Sequence, residues 1–318
     1  MARGPTRATD GLYTLSMTKL QTPKFALRNG ELAAWDATTL HIGSEAVTRA
    51  LSVFEGIKGY WGADGSFGLV EVHKHYERLL RSARLLHIPC PRSFDEFQAD
   101  IFRLVESLVS PEHDLWVRAT LFVVEGHWGE GTVADLILTA YHQNKESREP
   151  IDLGVSTWQR SLDNALPYRI KSAANYQVAR LARIEGRSRG FGDMILLNQW
   201  GRVAEATAAA VLIVRNGVVH TPSHTEGALE SITVDAVESI AGAAGLRFER
   251  RPIDRTELSI ADEICICGTL EQLLPVRSID GLPVDPDGPV LGELRRRYMA
   301  IVRRELEHEG VDITVVPS

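Results

Sequence analysis

Residues 169–176 read Arg-Ile-Lys-Ser-Ala-Ala-Asn-Tyr, and Lys171 within this stretch anchors the reading of fold and chemistry. Small residues come after it, so a bulky group can approach the backbone there. A desolvated amine in such a place is able to form a Schiff base. By itself the stretch means little, because most lysines are solvated surface charges. Its weight comes from three later segments at fixed distances. Glu205 ends Gly201-Arg202-Val203-Ala204-Glu205, Ile232-Thr233 opens a helix, and Gly268-Thr269 closes a strand.

The surrounding chain is that of a globular protein. Its 318 residues suffice for a large core and more than one domain. Hydrophobic residues make up 44% and charged residues 24%, an ordinary balance. The net charge of −7 excludes a general nucleic-acid binder, which needs a basic excess to neutralise phosphates. No apolar run approaches a membrane span. The N-terminal stretch is polar and threonine-rich, without the apolar core of a signal peptide, and is expected to be a flexible extension over residues 1–23. Met17 is an alternative start. Three cysteines, Cys90, Cys265 and Cys267, suit a reduced cytoplasmic setting. Cys265 and Cys267 alternate with Ile264 and Ile266, which reads as one face of a buried strand. No further metal ligands lie near them, so no metal is expected.

Periodicity divides the rest. A strand over 51–60 runs into a Gly-Ala-Asp-Gly turn at 62–65. Leu79, Leu80, Ala83 and Leu86 mark a helix over 72–87, which Pro89 and Pro91 stop. Ser93 and Glu96 form a capping box ahead of Phe97, Ile101, Leu104, Val105 and Leu108. Alternation over 115–124 places Trp116 and Arg118 on one strand face. The glycine-hinged loop 125–131 reads as a substrate loop or as a plain turn. The polar stretch 142–150 is the most linker-like interior segment, so a small domain is expected over 24–141 and a larger one over 151–318. In the second half, strands are expected at 153–158, 193–198, 203–206, 264–267 and 276–279. Helices are expected at 174–187, 233–244 and 291–309. Asn216-Gly217 signals a hairpin. This order does not alternate regularly, which disfavours a doubly wound sheet or an eightfold barrel. No phosphate-binding glycine motif of the dinucleotide or P-loop kind occurs.

Six short motifs occur in one order: Ser-Val-Phe-Glu-Gly-Ile-Lys at 52–58, His-x-x-Arg-Leu at 75–79, Lys-Ser-Ala-Ala-Asn-Tyr at 171–176, Gly-Arg-Val-Ala-Glu at 201–205, Ser-Ile-Thr at 231–233 and Cys-Gly-Thr at 267–269. Together they resemble the class IV (fold type IV) aminotransferases that use pyridoxal phosphate, most of all the branched-chain amino acid aminotransferases. The group also holds D-amino-acid aminotransferases and aminodeoxychorismate lyase. The likeness covers residues 24 to 310. It implies a mixed α/β chain, with a small α/β domain and a larger pseudo-barrel domain, forming a homodimer.

The resemblance also implies roles. Lys171 would form the Schiff base with pyridoxal 5'-phosphate and then carry the substrate proton. Glu205 would pair with the pyridine nitrogen and Tyr176 with the phenolate oxygen. Arg78, Ile232, Thr233 and Thr269 would hold the phosphate, a task suited to a helix N-terminus. On the substrate side stand Phe54, Arg118, Trp116, Arg49, Lys58 and Leu270. Without the resemblance, Tyr176 is equally a core tyrosine and Arg78 one of a solvated basic face.

Several positions depart from the family pattern. Leu229-Glu230-Ser231-Ile232-Thr233 stands where Leu-Pro-Gly-Ile-Thr is usual, so the Glu230 side chain is expected to point away from the phosphate. Ala210 replaces an asparagine that supports the glutamate. Trp116 replaces a tyrosine and removes its hydroxyl. Arg49 replaces an aromatic residue, and Lys58 an arginine. Two or three cations would then face the substrate, favouring an acidic or differently oriented keto acid. The alternative is that Arg49 turns outward and pairs with Glu45. The leading expectation is transamination between branched-chain L-amino acids and 2-oxoglutarate. D-amino-acid or (R)-amine transamination and carbon–carbon lysis on aminodeoxychorismate are the alternatives of the same fold. A catalytically silent binding module is the alternative of another class.

Overall fold

The fold is described by a computed structural model that covers residues 21–317. The expected N-terminal extension therefore lies, apart from residues 21–23, outside the described residues. Among the described residues no helix is long and apolar enough to cross a membrane.

The first half builds one sheet and two long helices. Its elements are β1 (Phe25–Arg28), β2 (Glu31–Ala34), the short α1 (Glu45–Thr48), β3 (Ser52–Trp61), β4 (Phe67–Val70), α2 (Val72–Leu85), α3 (Phe94–Leu108), β5 (Asp114–His127) and β6 (Glu130–Gln143). The capping box forms as expected. Ser93 accepts from the Glu96 N–H, and the Glu96 carboxylate accepts from the Ser93 N–H. The loop 125–131 is the tip of the β5–β6 hairpin, with Trp128 in the left-handed region and 76% exposed.

The second half adds β7 (Ile151–Gln159), α4 (Tyr176–Ser188), β8 (Asp193–Leu197), β9 (Val203–Ala206), β10 (Ala210–Arg215), β11 (Val218–Thr221), α5 (Ile232–Ala243), β12 (Phe248–Arg250), β13 (Glu263–Gly268), β14 (Gln272–Ile279), β15 (Leu282–Pro283), α6 (Pro289–Val302) and β16 (Ile313–Val315). Asn216 and Gly217 both have positive φ, 52° and 73°, and close the β10–β11 hairpin.

The strands form a seven-stranded sheet, β16-β4-β3-β5-β6-β1-β2, and a nine-stranded one, β12-β11-β10-β13-β14-β7-β8-β9 with β15 beside β14. The larger sheet mixes parallel and antiparallel pairs. It curls, because its end strand β9 returns beside β10, where Ala206 N–H donates to Ala209 O at 2.8 Å. Both faces of this sheet are apolar. Val211, Ile213, Ile264 and Ile266 point into the curl. Leu212, Val214, Cys265 and Cys267 face α5 and α6. Burial raises the pKa of both cysteine thiols, which fits side chains that serve as packing.

The last helix is shorter than expected. It ends at Val302 rather than near residue 309, and Gly310 is not its stop. Tertiary contacts end it. Arg303 grips both oxygens of buried Asp114 at 2.7 Å. Arg304 takes a left-handed φ of 57° and reaches Asp64. Beyond it, β16 pairs with β4, so the chain's end joins the sheet built by its first half.

Candidate active site

The pleat of β3 divides its side chains between two tasks. Val53 and Ile57 enter the core under α2 and α3. Glu55, on that same face, is fully buried and meets α2. Arg78 donates from Nε to Glu55 Oε1 at 2.7 Å and from Nη2 to Oε2 at 2.8 Å. His75 Nδ1 adds a contact of 2.7 Å to Oε2. Burial alone would raise the Glu55 pKa, but the charge and hydrogen bonds of Arg78, with those of His75, hold it well below the carboxylate range. Phe54, Lys58 and Tyr60 point the other way, toward the larger sheet.

The Lys171 segment touches β3 through a single antiparallel bridge before it turns into the helix that follows. Phe54 N–H donates to Lys171 O at 2.9 Å, and Val53 bridges Ser172. Lys171 N–H donates to Ser82 Oγ on α2 at 3.1 Å. Asn175 ties the turn before Lys171 in place, its side-chain amide donating to Pro167 O and Ile170 O at 2.9 and 2.7 Å. Tyr176 is then the first residue of α4, and its hydroxyl lies 2.9 Å from Lys171 Nζ. Its ring stands 5.0 Å from that of Phe54.

Lys171 and Tyr176 line a cleft of about 610 Å³, part of it open to solvent, together with Arg78, Glu205, Ile232, Thr233 and Thr269. Every residue expected on the cofactor side is on this one cleft. The α5 N-terminus faces it. Ser231 accepts from Val234 N–H, and the N–H groups of Ile232 and Thr233 precede the first intrahelical bond, Asp235 N–H to Ser231 O. The Glu230 side chain is turned outward to Arg81 at 3.4 Å and Arg169 at 3.5 Å. Ala208, Ala209 and Ala210 line another part of the cleft.

Arg160 was not legible in the sequence. It is buried at the end of β7 and lies 3.0 Å from Glu205 Oε1, while Leu229 N–H donates to Oε2 at 3.0 Å. These two groups hold the carboxylate that Ala210 cannot support. Nothing around Arg160 in the sequence marks it, because its partner comes from a distant strand.

The substrate-side expectations separate. Phe54 lies 5.2 Å from Lys171 Nζ, and the Arg118 guanidinium stacks on it at 4.0 Å. Burial lowers the Arg118 pKa, and the hydroxyl of Thr120, at 3.4 Å, is the hydrogen-bond partner the guanidinium shows. Trp116 packs over Gly56, where an added Cβ would meet its indole nitrogen at 2.5 Å. Arg49 does not face the cleft. It pairs with Glu45 at 3.0 Å and stacks on Trp128 at 4.8 Å, the outward alternative. Lys58 and Leu270 lie off the Lys171 cleft and line a neighbouring cavity.

The motifs and the geometry agree with a family comparison. Residues 52–279 match the family described as amino-transferase class IV.

The chain belongs to the class IV aminotransferases.

It is 31% identical, over 293 residues, to the branched-chain-amino-acid aminotransferase of Escherichia coli (strain K12), covering 88% of this chain and 93% of that protein. Among solved structures, the branched-chain amino acid aminotransferase from Thermobaculum terrenum in its PLP-form is similar, with a TM-score of 0.83 and 30% identity, covering 93% and 99% of the two chains. The branched-chain aminotransferase from Thermoproteus uzoniensis with norvaline gives a TM-score of 0.85 at 29% identity, covering 89% and 96%. This aminotransferase therefore has the mixed α/β, fold type IV architecture that its motifs implied.

Proposed function

We propose that this aminotransferase moves an amino group between branched-chain L-amino acids and 2-oxoglutarate, with pyridoxal 5'-phosphate held at Lys171. One observation carries the reading. An amine with a hydroxyl at 2.9 Å shares a cleft with a buttressed carboxylate, an arginine and a helix N-terminus.

That donor set fits the cofactor. When bound, pyridoxal phosphate supplies the electron sink that makes the substrate's Cα proton labile. Lys171 would be the amine that holds it, and afterwards the base that takes and returns that proton. The Tyr176 hydroxyl orients Lys171 Nζ. Glu205, fixed on both oxygens, would hold the pyridine nitrogen with its remaining lone pairs. Arg78 keeps one N–H free on each terminal nitrogen after binding Glu55 and Glu230 O, and these would serve the phosphate. The N–H groups of Ile232 and Thr233 and the Thr269 hydroxyl complete that cradle. Arg118, with no carboxylate partner among the described residues, takes the substrate's α-carboxylate beside Phe54.

The choice of branched-chain substrates is supported by the names of the relatives and by the motif at 52–58. Two copies are expected to associate as a homodimer in a reduced cytoplasmic setting, in keeping with three unpaired cysteines.

The test is the absorption spectrum of the purified protein with pyridoxal phosphate, followed by single amino donors. A visible band that Lys171→Ala abolishes, and that L-valine bleaches while D-alanine and an aryl amine do not, is the expected result. Bleaching by D-alanine or the amine alone would move the protein to the D-amino-acid or (R)-amine branch. No Lys171-dependent band would overturn the reading.

A further inference from the structure

The turn between β9 and β10 follows directly on Glu205 and reads Ala206-Thr207-Ala208-Ala209-Ala210. Thr207, Ala208, Ala209 and Ala210 all line the Lys171 cleft. Ala206 N–H donates to Ala209 O at 2.8 Å and closes the turn on itself. Alanine methyl groups cannot bond to the structure behind the turn. Thr207 carries its only polar side chain.

Thr207 is 4% exposed, and both capacities of its hydroxyl are used. It donates to Asp193 Oδ1 at 2.5 Å and accepts from Arg183 Nε at 2.6 Å. Arg183 Nη2 reaches the other Asp193 oxygen at 3.3 Å. Asp193 opens β8, is buried, and takes the Met194 N–H on Oδ1 at 2.8 Å. Arg183 stands on α4, the helix that Tyr176 begins. One hydroxyl therefore ties the turn after Glu205 to the neighbouring strand and to the helix of the Lys171 arm. Hydrogen bonds with a charged partner are the stronger class.

A buried threonine with a satisfied hydroxyl is ordinary by itself. What this one supports is not. Arg160 and the Leu229 N–H hold the Glu205 carboxylate, and Thr207 holds the backbone that leaves Glu205. Ala210 stands where the family carries an asparagine, so no side-chain amide shares that load. The turn also supports a second loop. A Cβ added to Gly268 would meet Ala209 Cβ at 3.5 Å and Ala208 O at 3.7 Å, so the Gly268 backbone rests on the turn. Thr269 follows Gly268 and lines the cleft. Glu271, two residues further, lies within electrostatic reach of Asp193 and Arg183. A shift of the turn would move Glu205 and Thr269 together.

We propose that Thr207 is a positioning residue, whose hydroxyl, clasped between Arg183 and Asp193, keeps Glu205 and Thr269 in register for one bound cofactor. This rests on the transaminase reading of the Lys171 cleft.

The experiment compares wild type with Thr207→Val, which keeps the shape and loses the hydroxyl, and with Thr207→Ser, which keeps the hydroxyl. Pyridoxal phosphate is titrated into each apoprotein and read by the visible band. Loss of a hydrogen bond to a charged group should raise its dissociation constant about 10-fold or more in Thr207→Val, and Thr207→Ser should restore most of it. The pH at which the band titrates should move in Thr207→Val, because Glu205 is displaced from the ring nitrogen, and return in Thr207→Ser. Hydrogen exchange of the apoproteins reads the turn without cofactor. Segments 203–210 and 267–271 should both exchange faster in Thr207→Val. Should that variant not fold, Arg183→Met removes one arm of the clasp from a half-buried site and should show the same changes at smaller size. A lower melting temperature with unchanged cofactor affinity and band pH would make Thr207 structural only and overturn the proposal. Faster exchange confined to 203–210 would overturn it as well. If wild type shows no Lys171-dependent band, the parent reading fails, and exchange in the two segments alone decides whether Thr207 ties them together.

Discussion

Replacing Glu55 by glutamine tests whether the buried charge cluster behind the cleft holds the fold and the phosphate arginine together. The Glu55 carboxylate accepts two bonds from Arg78 and one from His75, all between 2.7 and 2.8 Å, and all three side chains are buried. The amide of Glu55→Gln would turn N–H groups toward one of these donors. It would also leave the Arg78 charge buried and unbalanced. Breaking a buried pair from one side costs about 3–5 kcal/mol. At about 2 °C per kcal/mol for a chain of this size, the melting temperature should fall by about 6–10 °C at neutral pH.

The pH dependence supplies a second arm. The folded pKa of Glu55 is depressed below its unfolded value of about 4.3. Its contribution is therefore complete above that pH and is lost as pH falls toward the folded pKa. Differential scanning calorimetry of the two proteins should show their melting temperatures converging as pH is lowered from about 6 to about 3. A variant that melts within about 2 °C of wild type at neutral pH would refute the account, since that gap is roughly 1 kcal/mol. So would a gap that stays constant into acid.

Three further outcomes rest on the same geometry. Tyr176→Phe removes the hydroxyl 2.9 Å from Lys171 Nζ but keeps the ring against Phe54, so kcat should fall about 10- to 100-fold with an unchanged melt; full activity would remove Tyr176 from the mechanism. Arg160→Met leaves Glu205 with only the Leu229 N–H, and kcat should drop about 10-fold or more, partly recovered in Arg160→Lys, as single-turnover rates would show. Arg49→Ala removes the ion-pair partner of buried Glu45, leaving its Oε1 only the Trp128 N–H at 3.3 Å, and should cost about 1–3 kcal/mol in a denaturant melt. The same variant should leave KM for the keto acid within about twofold, because Arg49 lies off the cleft; a larger change would return it to the substrate site.

The features legible in the sequence were local. The capping box of Ser93 and Glu96, the Asn216-Gly217 turn and the helix opening at Ile232 are each complete within a few residues. The alternation of Cys265 and Cys267 with Ile264 and Ile266 likewise carries its own geometry. The features that stayed hidden depend on partners far apart in the chain. Arg160 resembles any charged residue at a strand's end until Glu205 is folded against it. The end of α6 is set by the pull of Asp114 and Asp64 on Arg303 and Arg304, not by the glycine at 310.

The cations expected near the substrate show why this limit falls where it does. Period-two alternation assigns Lys58 and Arg118 to one sheet face, and this needs nothing beyond the register of β3 and β5. It cannot say what that face meets. The turn carrying Thr269 and Leu270 comes down across it, leaving Thr269 on the Lys171 cleft and Leu270, with Lys58, on the cavity beyond. Arg49 differs because its partner Glu45 is one helical turn away, so the outward pairing was already visible as an alternative. Local pairing can be weighed from sequence, whereas the division of one face between two cavities is set by a turn more than two hundred residues later. Substrate selectivity in this aminotransferase should accordingly respond to changes in that turn as well as in β3 and β5.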